Sequence, residues 1–101
     1  MTLIASYSDQ DKTVTIQISG RFDFTSVHRE FRQSYKGRAG GIRYVVDLKE
    51  TEFMDSSALG MLLLLREHAV DAGTNVRIIN CGPEIKQILA IANFSKLFEI
   101  T

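Results

Sequence analysis

The amino-acid sequence predicts an α/β fold in which a mixed sheet of four to five strands carries its helices mainly on one face. Three observations predict this class. Residues 13–19 alternate apolar and polar side chains, as a half-buried strand does. Residues 42–48 are apolar on both faces, as in a central strand, and the remaining long segments repeat apolar residues at helical spacing. The predicted element order is β-β-α-β-α-β-α-β.

Length and composition indicate one globular domain over residues 1–101. Apolar residues make up 45% of the chain and charged residues 24%, which is typical of a globular protein. Twelve basic residues balance twelve acidic ones, so no net field attracts nucleic acid or anionic lipid. We therefore expect no direct binding of nucleic acid.

The first half of the chain predicts two strands and a helix. Residues 3–8 and 13–19 are the strands, and the polar segment between them predicts a hairpin turn. A helix is predicted over residues 24–35, because its apolar residues recur at helical spacing and glycines follow it. Those apolar residues are Phe24, Val27, Phe31 and Tyr35.

The second half alternates strands with helices. Strands are predicted over residues 42–48, 76–80 and 97–100. One helix is expected to follow Asp55 and to end before Gly73. The last helix is predicted over residues 83–92, because a proline at its first position suits a helix start.

Residues 53–61 carry most of the functional information. The first backbone N–H groups of a helix are unpaired and partially positive, so Asp55 is expected to cap them. Ser56 and Ser57 follow and are expected to stay near solvent. A phosphate on either serine would add about −1.5 to −2 charges beside the Asp55 carboxylate. The start of this helix is therefore a place where charge can control binding.

The same helix is predicted to have more apolar surface than packing against a sheet requires. At about 100° per residue, Leu64 falls among polar neighbours, while Met61 and Leu65 fall on the border of the apolar arc. The apolar arc itself contains Leu59, Leu62, Leu63, Ala69 and Val70. We expect the apolar edge at Met61 and Leu64 to dock on a protein partner. Packing under a loop or a homodimer contact is the alternative.

Two motifs together resemble the STAS domain, particularly the stand-alone bacterial anti-sigma factor antagonists. Residues 53–61, preceded by the apolar strand that ends in Asp47-Leu48, resemble the family's signature. Residues 18–23 resemble the family's element of glycine, any residue, an apolar residue and aspartate, which lies between a strand and a helix. The similarity runs over essentially the whole chain, and it implies the STAS fold.

The resemblance also implies a regulator that is switched by phosphorylation. In such antagonists the phosphorylated residue directly follows the signature aspartate, which here makes it Ser56. Ala58 stands where many relatives have glycine and leaves both hydroxyls in place. The implied partners are a serine protein kinase that is an anti-sigma factor, which the unphosphorylated protein sequesters, and a PP2C-like serine phosphatase. The expected partner-binding residues are Asp23, Asp55, Ser57, Met61 and Leu64; for Asp23 the alternative role is only to cap the helix that follows it.

A second binding role stays open, and catalysis is not expected. The protein is alternatively a constitutive STAS accessory subunit of a transporter or signalling complex, in which the serines only cap a helix. The chain lacks a Gly-x-Ser-x-Gly elbow, and His28 and His68 fall on predicted helical surfaces. Neither a metal nor a cofactor is predicted, because the acidic residues around the serines lack EF-hand spacing. Those acidic residues are Asp47, Glu50, Glu52 and Asp55.

The sequence predicts neither secretion nor membrane insertion. No apolar run approaches the about 20 residues of a membrane helix, and residues 1–6 lack the basic flank and apolar core of a secretion signal. Cys81 is the only cysteine, so no internal disulfide forms, and a small buried thiol is expected. We expect a cytoplasmic monomer.

Overall fold

A mixed sheet of five strands and three α-helices form the fold in the computed structural model, which describes residues 3–101. Met1 and Thr2, which belong to the stretch predicted to lack a secretion signal, lie outside the described residues. In chain order the elements are β1 (Leu3–Ser8), β2 (Thr13–Ile18), β3 (Gly20–Phe22), α1 (Phe24–Tyr35), β4 (Arg43–Asp47), β5 (Thr51–Met54), α2 (Ser56–Asp71), β6 (Val76–Ile79), α3 (Pro83–Ile91) and β7 (Glu99–Ile100). The predicted α/β class is confirmed.

The five-stranded sheet has the order β1-β2-β4-β6-β7, with β1 antiparallel to β2 and the other pairs parallel. Strand β4 lies at its centre, as predicted. Alternate residues Val14, Ile16 and Ile18 are fully buried, and the register places Ile16 beside Val46 and Val46 beside Ile78. Because the residues between them are exposed or half-buried, one face of the sheet carries the core and the helices.

A second, two-stranded sheet of β3 and β5 was not predicted from the sequence. The sequence places residues 20–22 between a strand and a helix, and it predicts no strand over residues 51–54. Gly20 has a positive φ of 75°, so the chain turns out of β2 there. The Gly20 N–H then donates to the Glu50 carbonyl at 2.9 Å, and the Thr51 hydroxyl donates to the Ile18 carbonyl at 2.7 Å. These long-range bonds, rather than strand propensity, form the small sheet.

The small sheet determines where the first two helices begin. Strands β3 and β5 run parallel, and α1 and α2 each start within two residues of the end of their strand. Both helix N-termini therefore lie at the same end of the molecule. Asp23 and Asp55 are the capping residues of α1 and α2, respectively.

The buried face of α2 differs from the predicted one. Met61 and Leu65, predicted on the border, are buried, whereas Leu63 and Val70, predicted in the apolar arc, are exposed. The helix is apolar around most of its circumference, so the sequence gives little indication of which direction faces the sheet. Leu64 is exposed, as predicted from its polar neighbours.

The last part of the chain follows the prediction with a shorter final strand. Helix α3 buries Ile85 and Leu89 against the core. A 3₁₀ turn at Phe94–Lys96 follows Asn93, and the rings of Phe94 and Phe98 stack with centroids 5.2 Å apart. Leu97 and Phe98, which the sequence assigns to the strand, donate their N–H groups to the Phe94 carbonyl of this turn, so β7 has only two residues.

Candidate functional site

Asp55 caps helix α2 through one carboxylate oxygen. Its Oδ1 accepts hydrogen bonds from the Ser57 N–H at 3.0 Å, the Ala58 N–H at 3.2 Å and the Ser57 hydroxyl at 2.6 Å. Two of the unpaired N–H groups at the helix start are thereby satisfied. The predicted capping role of Asp55 is confirmed.

Ser57 connects the starts of the two helices. Its hydroxyl donates to Asp55 and accepts a hydrogen bond from the Phe24 N–H at 2.9 Å. Phe24 is the first residue of α1, so this N–H is one that the helix itself leaves unpaired. The Ser57 hydroxyl therefore stabilises the contact between the two helix starts, which agrees with the structural role expected for it.

Ser56 has a different environment from its neighbour. It is the first residue of α2 and is exposed, and its hydroxyl makes no hydrogen bond to any residue between 3 and 101. The two serines thus differ chemically although they are adjacent. One hydroxyl bridges two helices, and the other points to solvent at a helix N-terminus.

Asp23 caps helix α1 and lies close to Asp55. Its Oδ1 accepts from the Ser26 N–H at 2.9 Å, and its Oδ2 accepts from Arg21 Nε at 3.0 Å. Capping, the alternative role for Asp23, is therefore observed, and contact with a partner stays a prediction. The residue is largely buried, so a partner would reach it mainly through its neighbours.

Exposed aromatic side chains surround these two caps; the sequence counted Phe24 only among the apolar residues of α1 and gave Phe53 no separate role. The Arg21 guanidinium lies over the Phe53 ring, 4.2 Å from its centroid, and Phe24 stacks on His28 with centroids 4.0 Å apart. Phe24 is 54% exposed. Residues Arg21 and Phe53 are register partners in the small sheet, so only the unpredicted pairing of β3 with β5 would have revealed their contact.

The hydrogen bonds at the caps lower the pKa values of both carboxyls below the usual 3.8. For Asp55 the main cause is the Ser57 hydroxyl, while desolvation and the charge of Asp23 act to raise its pKa. For Asp23 the main cause is its hydrogen bonding with Ser26, with a smaller effect from Arg21. Both carboxylates are ionised at neutral pH, so a phosphate on Ser56 would be added near two existing negative charges.

The two apolar residues predicted to contact a partner differ in exposure. Leu64 is 58% exposed and offers surface to a partner, whereas Met61 is only 5% exposed and belongs to the core. The predicted border position of Met61 is therefore wrong. Its role in partner binding stays a prediction, restricted to the small part of its surface that lines a groove between α1 and α2.

Comparison with known proteins identifies the family. The family model described as "Mlab, STAS domain" matches residues 5–99. The chain belongs to the STAS-domain family. A STAS-domain-containing protein of Pseudomonas aeruginosa (strain UCBPP-PA14) is 49% identical over 102 residues, and the match covers 100% of both chains.

Solved structures share the fold of this STAS domain at low sequence identity. An anti-sigma-factor antagonist (STAS) domain protein from Planctomyces limnophilus superimposes with a TM-score of 0.82 at 16% identity, covering 99% of this chain and 89% of that one. The anti-sigma factor antagonist SpoIIAA of Bacillus superimposes in its unphosphorylated form with a TM-score of 0.77 at 14% identity, over 99% and 88% of the two chains. Its phosphorylated form gives a TM-score of 0.71 at 15% identity, over 99% and 91%.

Among residues 3–101, no three His, Cys, Asp or Glu side chains come together as a metal site would require. None of the helices in this part of the chain is long and apolar enough to cross a membrane. Cys81 is half-buried just before α3, and burial raises the pKa of its thiol.

Proposed function

We propose that this STAS domain is a protein-binding regulator that phosphorylation of Ser56 switches off. In its unphosphorylated form it binds and sequesters a serine protein kinase that is an anti-sigma factor, and a PP2C-like phosphatase restores this form. One observation carries the proposal: the Ser56 hydroxyl is exposed and makes no hydrogen bond to any of residues 3–101, whereas the adjacent Ser57 hydroxyl is hydrogen-bonded to Asp55 and to Phe24.

The exposed hydroxyl makes Ser56 suitable as a phosphoryl acceptor. A kinase would transfer the γ-phosphoryl group of ATP to the Ser56 oxygen, which loses its proton while ADP leaves. Ser57 would first have to give up its two hydrogen bonds. SpoIIAA, which shares this fold, exists in a phosphorylated form, and this likeness adds to the argument from the residues.

The surface around Ser56 suits a protein partner when the serine is unmodified. Exposed aromatic rings at Phe24 and Phe53 and the exposed Leu64 supply apolar contact area. Aromatic side chains of this kind are enriched among the residues that dominate interface energies. The carboxylates of Asp23 and Asp55 are already hydrogen-bonded within the domain, so covering them leaves fewer unpaired groups.

A phosphate on Ser56 would oppose binding for an electrostatic reason. The partner would have to desolvate a dianion that lies near two ionised carboxylates, and a buried unpaired charge costs about 2 to 5 kcal/mol. This corresponds to a loss of affinity of about 30-fold or more. The helix itself should tolerate the modification, because negative charge at a helix N-terminus is favourable.

Four variants with matched positions test this proposal. Each variant carries an affinity tag and is expressed in the organism that the protein comes from. The kinase that co-purifies with it is quantified by mass spectrometry. Ser56→Ala should keep the kinase, and Ser56→Asp should lose most of it. Ser57→Ala controls for the loss of a hydroxyl. Ser57→Asp adds the same negative charge one residue further along α2 and so controls for the position of that charge.

Equal recovery of partner proteins by Ser56→Ala and Ser56→Asp would contradict the switch. It would instead favour the second role, a constitutive accessory subunit whose serines only cap a helix. Circular dichroism of each variant identifies any loss of binding that is caused by unfolding.

A further inference from the structure

A groove runs between helices α1 and α2 on the surface of the domain. It encloses about 420 Å³. Helix α1 contributes His28, Phe31, Arg32, Tyr35 and Lys36, and helix α2 contributes Met61, Leu64, Glu67, His68 and Asp71. This composition combines an apolar floor with charged walls.

The floor of the groove is apolar and is held in place by packing. Phe31, Tyr35 and Met61 belong to the buried core. The Tyr35 ring lies 5.1 Å from the His68 ring, and His68 Nε2 is 3.3 Å from the hydroxyl of the buried Tyr44. A floor that is fixed by such contacts is preformed, so binding of a ligand requires little loss of side-chain entropy there.

The two walls of the groove carry opposite charge. Arg32 and Lys36 are four residues apart on α1, and Glu67 and Asp71 are four residues apart on α2, so each pair forms one ridge along its helix. All four side chains are exposed. The ion pairs found among residues 3–101 involve none of them. The walls therefore present one basic row and one acidic row that are available to a ligand.

The groove offers side chains but no backbone partners. Its walls are two helices, whose N–H and C=O groups are paired within each helix. An extended peptide in the groove would therefore leave its N–H and C=O groups to water, whereas a helix pairs them internally, so the groove favours a helix. Helices of this type place apolar anchors at positions i, i+3, i+4 and i+7 into an apolar groove.

We propose that this groove binds an amphipathic helix of a partner protein, with acidic side chains on the flank facing α1 and basic side chains on the flank facing α2. The apolar stripe of that helix contacts Leu64 and the floor. Arg32 and Lys36 pair with the acidic flank, and Glu67 and Asp71 pair with the basic flank. The charge pattern fixes the orientation of the incoming helix as well as its chemistry.

Two designed peptides of identical composition test the proposal. Each is a helical peptide of about 16 residues, a length at which isolated helices become stable, with a leucine stripe between two charged flanks. In the matched peptide one flank carries all the glutamates and the other all the lysines. In the mixed peptide each flank alternates glutamate and lysine, so neither direction in the groove pairs both flanks. Binding is followed by ¹H–¹⁵N NMR titration of the labelled domain.

The matched peptide should shift the amide signals of the groove residues on both helices. The mixed peptide should bind about tenfold or more weakly, because half of the charges on each flank meet a like charge in either direction. Raising the salt concentration should reduce the difference between the two peptides, since exposed charges are screened.

A charge-inverted groove provides the decisive control. The variant Arg32→Glu/Lys36→Glu/Glu67→Lys/Asp71→Lys keeps the net charge and should make the matched peptide lie in the opposite direction. A spin label at the peptide N-terminus reports this by broadening the signals at the other end of the groove. Leu64→Ala should weaken both, while Leu63→Ala, which removes an exposed leucine that does not line the groove, should weaken neither. Thermal unfolding of each variant establishes that it is folded.

Several results would overturn the proposal. These are equal binding of both peptides, signal shifts confined to other surfaces, absence of shifts with either peptide at millimolar concentration, or a matched peptide that lies in the same direction in the inverted groove. Shifts of groove signals that depend on protein concentration without peptide would assign the groove to a second copy of the domain instead. The titration contains no kinase and no phosphate, so its failure leaves the proposal for Ser56 unaffected.

Discussion

Ser56 and Ser57 are neighbours in the chain, but their hydroxyls have different environments and different roles. The Ser57 hydroxyl holds the two helix starts together through Asp55 and the Phe24 N–H, while the Ser56 hydroxyl has no such contact among the described residues. This difference follows from the geometry of the cap, because the N-cap carboxylate accepts hydrogen bonds from the second and third residues of the helix and not from the first.

This difference predicts that two alanine substitutions change the free energy of unfolding by different amounts. Ser57→Ala should lower the free energy of unfolding by about 0.5 to 1.5 kcal/mol, because the bridging hydroxyl and its hydrogen bonds are lost. Ser56→Ala should change it by less than about 0.5 kcal/mol, as is usual for an exposed site. Urea denaturation measures both values. A larger loss for Ser56→Ala than for Ser57→Ala would contradict the described geometry.

The capping carboxylates predict how stability depends on pH. Their pKa values are lower in the folded protein than the usual 3.8, so between these values the unfolded chain binds more protons than the folded protein. The free energy of unfolding should therefore fall as the solution is acidified below about pH 4 and should be fully restored above that range. Urea midpoints measured at a series of pH values test this.

Asp55→Asn is the matched variant for the pH prediction. Asparagine is also a good N-cap residue, so the helix start should be retained, but the side chain no longer titrates. Its acid destabilisation should be weaker than that of the unsubstituted protein. An identical pH dependence in the two proteins would show that Asp55 is not a source of it.

The sequence predicted the cap at Asp55 and offered capping as the alternative role of Asp23, but it did not predict the contacts around them. Asp23 and Asp55 each precede an apolar helical pattern, and this local signal is sufficient to identify a cap. The contact of Arg21 with Phe53 depends on the parallel pairing of β3 with β5, which joins segments about 30 residues apart in the chain. No local pattern contains that information.

Helix α2 is the element in which exposure and sequence pattern differ most. Leu64 and Leu65 are adjacent, yet the first is 58% exposed and the second is fully buried. A helical pattern fixes the spacing of buried residues, but a run of four leucines leaves the direction of the buried face open. Tertiary packing decides it, and places Met61 and Leu65 inward.

Substitution of these two leucines tests the orientation of α2. Leu65→Ala should lower the free energy of unfolding by about 2 to 5 kcal/mol, because it leaves a cavity in the core. Leu64→Ala should change it by less than about 0.5 kcal/mol. Chemical denaturation of the two variants gives both numbers. Similar losses in the two variants would mean that α2 is rotated relative to the described packing.

The fold as a whole predicts a single cooperative unfolding transition for residues 1–101. Strand β4 contacts both β2 and β6, and the small sheet pairs β3 with β5, so both halves of the chain contribute to one core and neither retains it alone. Far-UV circular dichroism reports the helices, and fluorescence of the buried Tyr35 and Tyr44 reports the core. The two denaturation curves should coincide. Separate midpoints would contradict a single folding unit.

The overall architecture was predictable because its main elements have strong local patterns. The alternation of β2, the apolar run of β4 and the helical spacing of α1 each lie within about a dozen residues, and the order of elements follows from them. The groove between α1 and α2 was not predictable in the same way. It requires the two helices to lie side by side, which the small sheet of β3 and β5 brings about.

The central claim is that Ser56 is a reversible phosphorylation site, and mapping phosphate on the protein isolated from its own cell tests it most directly. Intact mass spectrometry followed by peptide sequencing should find a single phosphate on Ser56 and none on Ser57, and treatment with a PP2C-type phosphatase should remove it. A protein that carries no phosphate on Ser56 under any growth condition, or carries it on Ser57 instead, would contradict the account.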